Sequence, residues 1–122
     1  MRGVVAKALG GPDVLEVRDV AEPTPGKGEL LVDVAAAGVN YRDVYERDGG
    51  GGQTPPFVIG VEGAGTVAAT GEDVDGFSVG DRVAWVSAPA SYADVFSSTR
   101  PARWSCRRRW RANVRRRRSS RA

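Results

Sequence analysis

The motif in this sequence whose spacing points most directly to chemistry is Gly63-Ala64-Gly65-Thr66-Val67-Ala68. It matches G-x-G-x-x-A, the pattern with which a βαβ unit binds a dinucleotide, and Asp81 follows at about the distance of the acidic residue that contacts the ribose. That mechanism requires a helix to begin at the glycines, because its first amides must meet the pyrophosphate. Here β-branched residues and a turn over 71–76 follow instead. We therefore expect that the match is fortuitous and that the glycines mark bends or close approaches between strands.

The lack of histidine and the scarcity of cysteine exclude several other kinds of chemistry. Histidine is absent, and Cys106 is the single cysteine. The chain therefore lacks the usual general base near neutral pH, any Ser-His-Asp or Cys-His arrangement, a histidine-containing zinc site and an internal disulfide. No apolar run has transmembrane length, and the N-terminal residues lack the apolar stretch of a signal peptide. We expect a cytoplasmic protein without a membrane span and without metal catalysis.

Charge divides the chain after Phe96. The formal net charge is +3 overall. Residues 1–96 contain seven bases and 15 acids, a net charge of −8, whereas residues 97–122 contain 11 arginines and no acid, a net charge of +11. All 16 glycines and all but one of the valines also lie before residue 97. A chain of 122 residues holds one core at most, and we expect that core within residues 1–96.

Hydrophobic periodicity predicts the elements that position the remaining candidate residues. It favours a hairpin around a Gly-Gly-Pro-Asp turn, then a long alternating strand, one short helix, a mobile tetraglycine loop and three or four further strands. Turn signals recur every 8 to 12 residues among the later strands, which is typical of a small barrel or sandwich. The segments are 3–8 and 14–20 for the hairpin, 29–39 for the long strand, 40–48 for the helix, 49–56 for the loop and 57–96 for the later strands.

Three segments carry a resemblance to a known family: GVNYRDVYERDGG, PPFVIGVEGAGTVAATGEDVDGFSVGDRVAW and SYADVF. In order, spacing and turn residues, positions from about 1 to 96 resemble the N-terminal, GroES-like domain of the medium-chain dehydrogenase/reductase superfamily. The resemblance implies a mainly β fold, a partly open β-barrel with one short helix. Residues 1–96 would then be an incomplete GroES-like catalytic domain.

Within the superfamily the chain resembles the zinc-independent NADPH:quinone oxidoreductases. Asn40 stands where zinc-dependent alcohol dehydrogenases have a catalytic cysteine, and Val61 stands where their Gly-His-Glu motif supplies a ligand. The four-cysteine lobe that follows the GDRV segment in those enzymes is also missing. The resemblance therefore implies an enzyme without zinc.

The function that the resemblance implies is hydride transfer from NADPH to a quinone or similar conjugated carbonyl, in a cleft between this barrel and a Rossmann domain. The chain ends before that domain, so we expect an inactive fragment that does not bind NADPH stably. Relatives are often homodimers through the missing domain. In the resembled proteins the positions of Asn40 and Tyr45 face the nicotinamide and substrate, while those of Glu62 and Arg82 lie on the barrel beside the cleft.

Each of these candidate residues also has a structural alternative. The Asn40 side chain can cap the following helix, and the sequence does not favour cofactor contact over capping. Tyr45 can belong to ordinary helix packing, again with equal weight. Glu62 and Arg82 are expected to form a structural ion pair rather than catalytic groups. No metal ligand is assigned.

Residues 97–122 form a basic tail that has two possible explanations, a binding function and a frameshift. Eleven arginines and two tryptophans are suited to nucleic acid, other polyanions or anionic membranes, which makes a basic-tailed interaction protein the alternative function. A frameshift accounts for more of the composition. GC-rich codons for Phe-Val-Val-Asp-Pro encode Phe-Ser-Ser-Thr-Arg, as in residues 96–100, once a single G is lost. In either case the density of positive charge predicts a disordered tail.

Overall fold

The computed structural model describes residues 1–98 and 102–103. These residues form two antiparallel sheets and one α-helix, which confirms the mainly β fold. None of the described helices has the length and apolarity needed to cross a membrane. The strands are β1 Arg2–Ala6, β2 Leu15–Asp19, β3 Leu30–Ala37, β4 Phe57–Val58, β5 Gly63–Thr70, β6 Arg82–Trp85, β7 Val95–Ser98 and β8 Ala102–Arg103, and the α-helix, α1, is Tyr41–Asp48.

The first sheet has the order β2-β1-β4 and contains the expected N-terminal hairpin. β1 pairs with β2 along its whole length, from Arg2 opposite Asp19 to Ala6 opposite Leu15. A single 3₁₀ turn, Pro12–Val14, lies inside the connection. Proline at its first position needs no hydrogen-bond partner for its nitrogen, so it suits the start of such a turn.

The second sheet has the order β7-β3-β5-β6-β8 and supplies most of the core. Its inward side chains alternate with exposed ones along β3 and β6, as expected for a sheet buried on one face. Trp85 stacks on Phe96 with ring centroids 4.2 Å apart, and its Nε1–H donates to Ser91 Oγ at 2.8 Å. The sheets do not close into a barrel. The central cluster consists of Leu30, Val32, Val67, Val83, Trp85, Ala88 and Phe96.

The glycines of the dinucleotide-like motif lie in strand β5, and no helix begins there. A Cβ on Gly65 would overlap the carbonyl oxygen of Asp33 in β3, and a Cβ on Gly63 would meet the ring of Trp85. Both glycines therefore allow the close approach of neighbouring groups, as the sequence predicts. The motif has no phosphate-binding geometry.

The glycines at the start of the predicted mobile loop end helix α1, and the mobility of the loop stays a prediction. Gly49 adopts the left-handed conformation, with φ of 103°, and its N–H donates to the carbonyls of the last turn. Gly50 N–H donates to Tyr45 O at 2.8 Å. Gly51 folds onto the side chain of Glu46 so closely that a Cβ would not fit. The glycines thus satisfy the carbonyls at the helix C-terminus.

The second sheet includes four residues that follow Phe96. β7 continues through Ser97 and Ser98 and pairs with β3, and the two residues of β8 pair with β6. Main-chain pairing at these four positions does not require apolar side chains. The domain boundary and the disorder of the tail stay predictions. The rest of the basic tail, including Cys106 and most of its arginines, lies outside the described residues.

The close approach at Gly65 predicts a large effect of a single methyl group. Gly65→Ala should lower the free energy of unfolding by at least ~2 kcal/mol, because the added carbon pushes β5 away from β3. Urea denaturation measures the change. Ala64→Ser, on the exposed side of the same strand, is the matched control and should change stability by less than ~0.5 kcal/mol. Equal effects of the two substitutions would contradict this account of the glycine.

Candidate functional site

Asn40 lies at the N-cap of helix α1 and forms a capping box with Asp43. The Asn40 N–H donates to Asp43 Oδ2 at 2.9 Å, and the Asp43 N–H donates to the Asn40 carbonyl oxygen at 3.0 Å. The Asn40 Nδ2 also lies 3.5 Å from the carbonyl oxygen of Gly38. Asn40 thus occupies the N-cap position through its backbone groups. Capping by its side chain and a role toward a cofactor both stay predictions.

The two residues before Asn40 line two clefts, although Asn40 itself lines neither. Gly38, before it, lines a cleft of about 350 Å³ together with Glu62 and Trp85. Val39, also before it, lines an apolar cleft of about 440 Å³ between β3 and the N-terminal hairpin. The Gly38 N–H donates to the Glu62 carbonyl oxygen at 3.1 Å, and the Glu62 side chain packs directly on Gly38. The structure therefore brings Asn40 and Glu62 to the same edge of the second sheet.

Tyr45 lies one turn along α1 and is 59% exposed. Its ring meets that of Tyr41 edge to face, with centroids 5.1 Å apart, and Tyr41 is itself exposed. Packing into the core does not account for Tyr45. Both phenols are open to a molecule that approaches this face of the helix.

The ion pair expected between Glu62 and Arg82 is absent from the salt bridges of the described residues. The register explains why: Arg82 lies opposite Thr66, and Glu62 precedes that threonine by four residues, about 13 Å along a strand. Arg82 instead lines a neighbouring cleft of about 340 Å³ with Ala64 and Ala84. The two residues share one side of the sheet and do not pair.

The strongest polar contact near Asn40 involves two residues that the sequence does not single out. The Tyr92 hydroxyl donates to Asp43 Oδ2 at 2.6 Å, and Asp43 is only 5% exposed. Oδ2 thus accepts from both the phenol and the Asn40 amide. The Asn-x-x-Asp spacing is a capping signal that could have identified Asp43. Tyr92 lies 49 residues further along the chain, so no local pattern links it to the helix.

Tyr92 is held firmly by its own surroundings. Its N–H donates to the Ile59 carbonyl oxygen at 2.9 Å, and its carbonyl oxygen accepts from the Val4 N–H at 2.8 Å. Its ring lies against Gly60, where φ is 102° and a Cβ would overlap the ring carbons. Tyr92 therefore joins the first sheet, the segment before β5 and the helix.

Burial raises the pKa of the Tyr92 phenol, and the hydrogen bond to Asp43 and the negative charges of Asp43 and Glu62 raise it further. The phenol consequently keeps its proton at neutral pH. Since that proton is already donated to Asp43, Tyr92 is suited to hold the helix and is unsuited to act as a general acid.

A second carboxylate, Glu46, is also buried on α1, at 4% exposure. Arg42 Nε donates to Glu46 Oε1 at 3.2 Å. Within the described residues, Asp43 Oδ1 and Glu46 Oε2 have no hydrogen-bond partner. The buried side of this helix is therefore acidic, whereas its exposed side carries the two tyrosines.

The site does not fit a zinc ion, and it does not supply a complete dinucleotide site. Asn40 and Val61 occupy positions where zinc-dependent relatives would need ligands, and the described residues include no group of three or more His, Cys, Asp or Glu side chains placed to hold a metal. Gly63 and Gly65, which could have formed a pyrophosphate cradle, are covered by Trp85 and by the Asp33 carbonyl. A dinucleotide therefore has to be held mainly by residues other than these.

Comparison with known proteins agrees with this geometry. Residues 26–103 match the family described as the alcohol dehydrogenase GroES-like domain. The chain belongs to that family, and its fold is GroES-like, as the sequence predicts. The match continues seven residues beyond Phe96, in agreement with the extent of β7 and β8.

Similar proteins include quinone oxidoreductases. The chain is 46% identical over 93 residues to one from Pseudomonas aeruginosa, which covers 72% of this chain and 28% of that protein. It is 40% identical over 87 residues to the human synaptic vesicle membrane protein VAT-1 homolog, covering 68% and 22%. The Escherichia coli quinone oxidoreductase complexed with NADPH superposes with a TM-score of 0.78 at 30% identity, covering 84% and 33%. The chain thus spans about a fifth to a third of the length of these relatives.

The Tyr92 hydrogen bond predicts that the protein becomes less stable at alkaline pH. The raised pKa favours the protonated phenol in the folded state. The hydrogen bond therefore contributes fully to the free energy of unfolding below pH ~10, the ordinary pKa of tyrosine. This contribution is lost as the pH rises through the higher pKa of Tyr92 in the folded protein.

Tyr92→Phe should remove this dependence and should cost about 1.5–3 kcal/mol at neutral pH, as expected for a hydrogen bond to a charged group. Urea denaturation at a series of pH values compares the variant with the parent, and Tyr41→Phe is the exposed-tyrosine control. A difference between Tyr92→Phe and parent that stays constant into strong alkali would contradict the prediction.

Proposed function

We propose that this chain supplies the substrate-side domain of a zinc-independent, NADPH-dependent quinone oxidoreductase of the cytoplasm. The observation that carries the proposal is a cleft at the edge of the second sheet that Gly38 and Glu62 line, with Asn40 bonded to Gly38, in a chain 46% identical to a quinone oxidoreductase. NADPH supplies the hydride in such a reaction, so the protein needs to bind, orient and exclude water rather than to provide a strong acid or base. A site without histidine is adequate for that purpose.

Each part of the site has a distinct task in this proposal. The Asn40 carboxamide, at the helix N-terminus, presents hydrogen-bonding groups to the nicotinamide. The exposed rings of Tyr41 and Tyr45 offer a surface on which a flat quinone can stack. Glu62 and Arg82 border the clefts and help to shape them. The pyrophosphate has to be held by a domain that the described residues do not include, so we expect residues 1–122 alone to be inactive.

A hybrid enzyme tests the proposal. Residues 1–98 of this chain replace the matching segment of the Pseudomonas aeruginosa quinone oxidoreductase, which supplies the remainder. We expect NADPH-dependent quinone reduction by the hybrid and none above blank by the 122-residue chain. Turnover by the chain alone, or a folded hybrid that binds NADPH without reducing quinones, would refute the proposed division of tasks.

Asn40→Ser in the hybrid separates capping from cofactor contact. Serine caps a helix about as well as asparagine does, but it lacks the carboxamide. We expect unchanged stability and a decrease of about tenfold or more in kcat/KM, equivalent to ~1.4 kcal/mol of lost transition-state stabilisation. Parent-like kinetics would leave Asn40 with the capping role alone.

Zinc independence has its own test. We expect elemental analysis of the dialysed protein to find no stoichiometric zinc, and chelation to leave the activity of the hybrid unchanged, because the chain has no histidine and a single cysteine. One zinc ion per chain that survives dialysis would contradict the assignment to a zinc-independent enzyme.

A further inference from the structure

We propose that Asp43 and Tyr92 form a positioning pair, whose hydrogen bond sets the orientation of helix α1 and with it the placement of Asn40 and Tyr45. The inference rests on the proposed function for what Asn40 and Tyr45 then do. The orientation itself depends only on the described residues.

Helix α1 has little apolar contact to hold it. Its fully buried residues, Asp43 and Glu46, are both acidic, while Tyr41 and Tyr45 are exposed. None of the described strands makes an extensive contact with the helix. A helix that buries no apolar stripe gains little from the hydrophobic effect. Its orientation must therefore come from a few polar contacts.

Two such contacts hold the helix at opposite ends. At the C-terminal end, Arg47 Nε donates to the Gly10 carbonyl oxygen at 2.9 Å, and the Gly10 N–H donates to the Arg47 carbonyl oxygen at 3.0 Å. At the N-terminal end, the hydroxyl of Tyr92 donates to Asp43 Oδ2. The Gly10 contact fixes one end to the hairpin turn. The Tyr92 contact then determines where the end that carries Asn40 lies.

The N-terminal contact is suited to this task. Asp43 Oδ2 accepts from Tyr92 and from the Asn40 amide at once, so a displacement of the carboxylate moves the N-cap directly. On the other side, the Tyr92 backbone is bonded to Val4 and Ile59. A charged acceptor strengthens a hydrogen bond, and this one is short, at 2.6 Å. The pair therefore transmits the position of the first sheet and of the segment before β5 to the helix.

The test compares Tyr92→Phe with Tyr41→Phe in the full 122-residue chain. Residual dipolar couplings measure the orientation of the α1 N–H bonds relative to those of β3 and β5, and hydrogen exchange measures local opening. We expect Tyr92→Phe to change the α1 orientation and to accelerate exchange of the Asn40 amide by about tenfold or more, while exchange in β3 and β5 stays within about twofold. Tyr41→Phe should leave both measurements at parent values.

Two substitutions of Asp43 provide the rescue experiment. Asp43→Asn keeps a carbonyl oxygen that accepts from Tyr92 and from the Asn40 amide, so it should retain the parent orientation. Asp43→Leu has no acceptor and should reproduce the Tyr92→Phe result. An unchanged orientation in Tyr92→Phe and Asp43→Leu would overturn the proposal, and so would exchange that accelerates equally in helix and strands. Neither measurement needs NADPH or a quinone, so this proposal and the proposed function can fail separately.

Discussion

The placement of the N-terminal end of helix α1, which carries Asn40, depends on one hydrogen bond, from the Tyr92 hydroxyl to the buried carboxylate of Asp43. The second sheet has an apolar core and needs no such help, since Trp85 and Phe96 stack at its centre. Helix α1 is different, because its buried residues are acidic. A buried carboxylate is costly unless it is hydrogen-bonded, so the same bond that satisfies Asp43 also attaches the helix. Stability and site geometry therefore rest on the same pair of residues.

The strands, the hairpin and the helix could be predicted from the sequence because their signals are local. Alternation of apolar and polar residues indicates strand β3. The Asn-x-x-Asp spacing indicates the start of α1, and the glycines that follow indicate its end. Contacts between distant segments could not be predicted in this way. Tyr92 meets Asp43 across 49 residues, and Glu62 fails to meet Arg82 because strand register separates them. Local periodicity specifies which face a residue occupies and leaves its position along the neighbouring strand open.

The glycines show how one residue type serves three physical purposes in this fold. Gly65 allows β3 and β5 to approach each other, Gly60 makes room for the ring of Tyr92, and Gly49 ends the helix in the left-handed conformation. A phosphate-binding motif and a close approach between paired strands can therefore look alike in sequence, because both require residues without a Cβ. What separates them is the element that follows. A strand continues after Gly65, so these glycines do not begin the helix that a pyrophosphate cradle requires.

The central claim is that Tyr92 and Asp43 act on each other directly, and a double-mutant cycle tests it most directly. The free energies of unfolding of the parent, Tyr92→Phe, Asp43→Ala and the double variant are measured by urea denaturation at neutral pH. A direct hydrogen bond to a charged acceptor predicts a coupling energy of about 1–3 kcal/mol, so that the second substitution costs little once the first is present. A coupling energy near zero, with fully additive effects, would contradict the account.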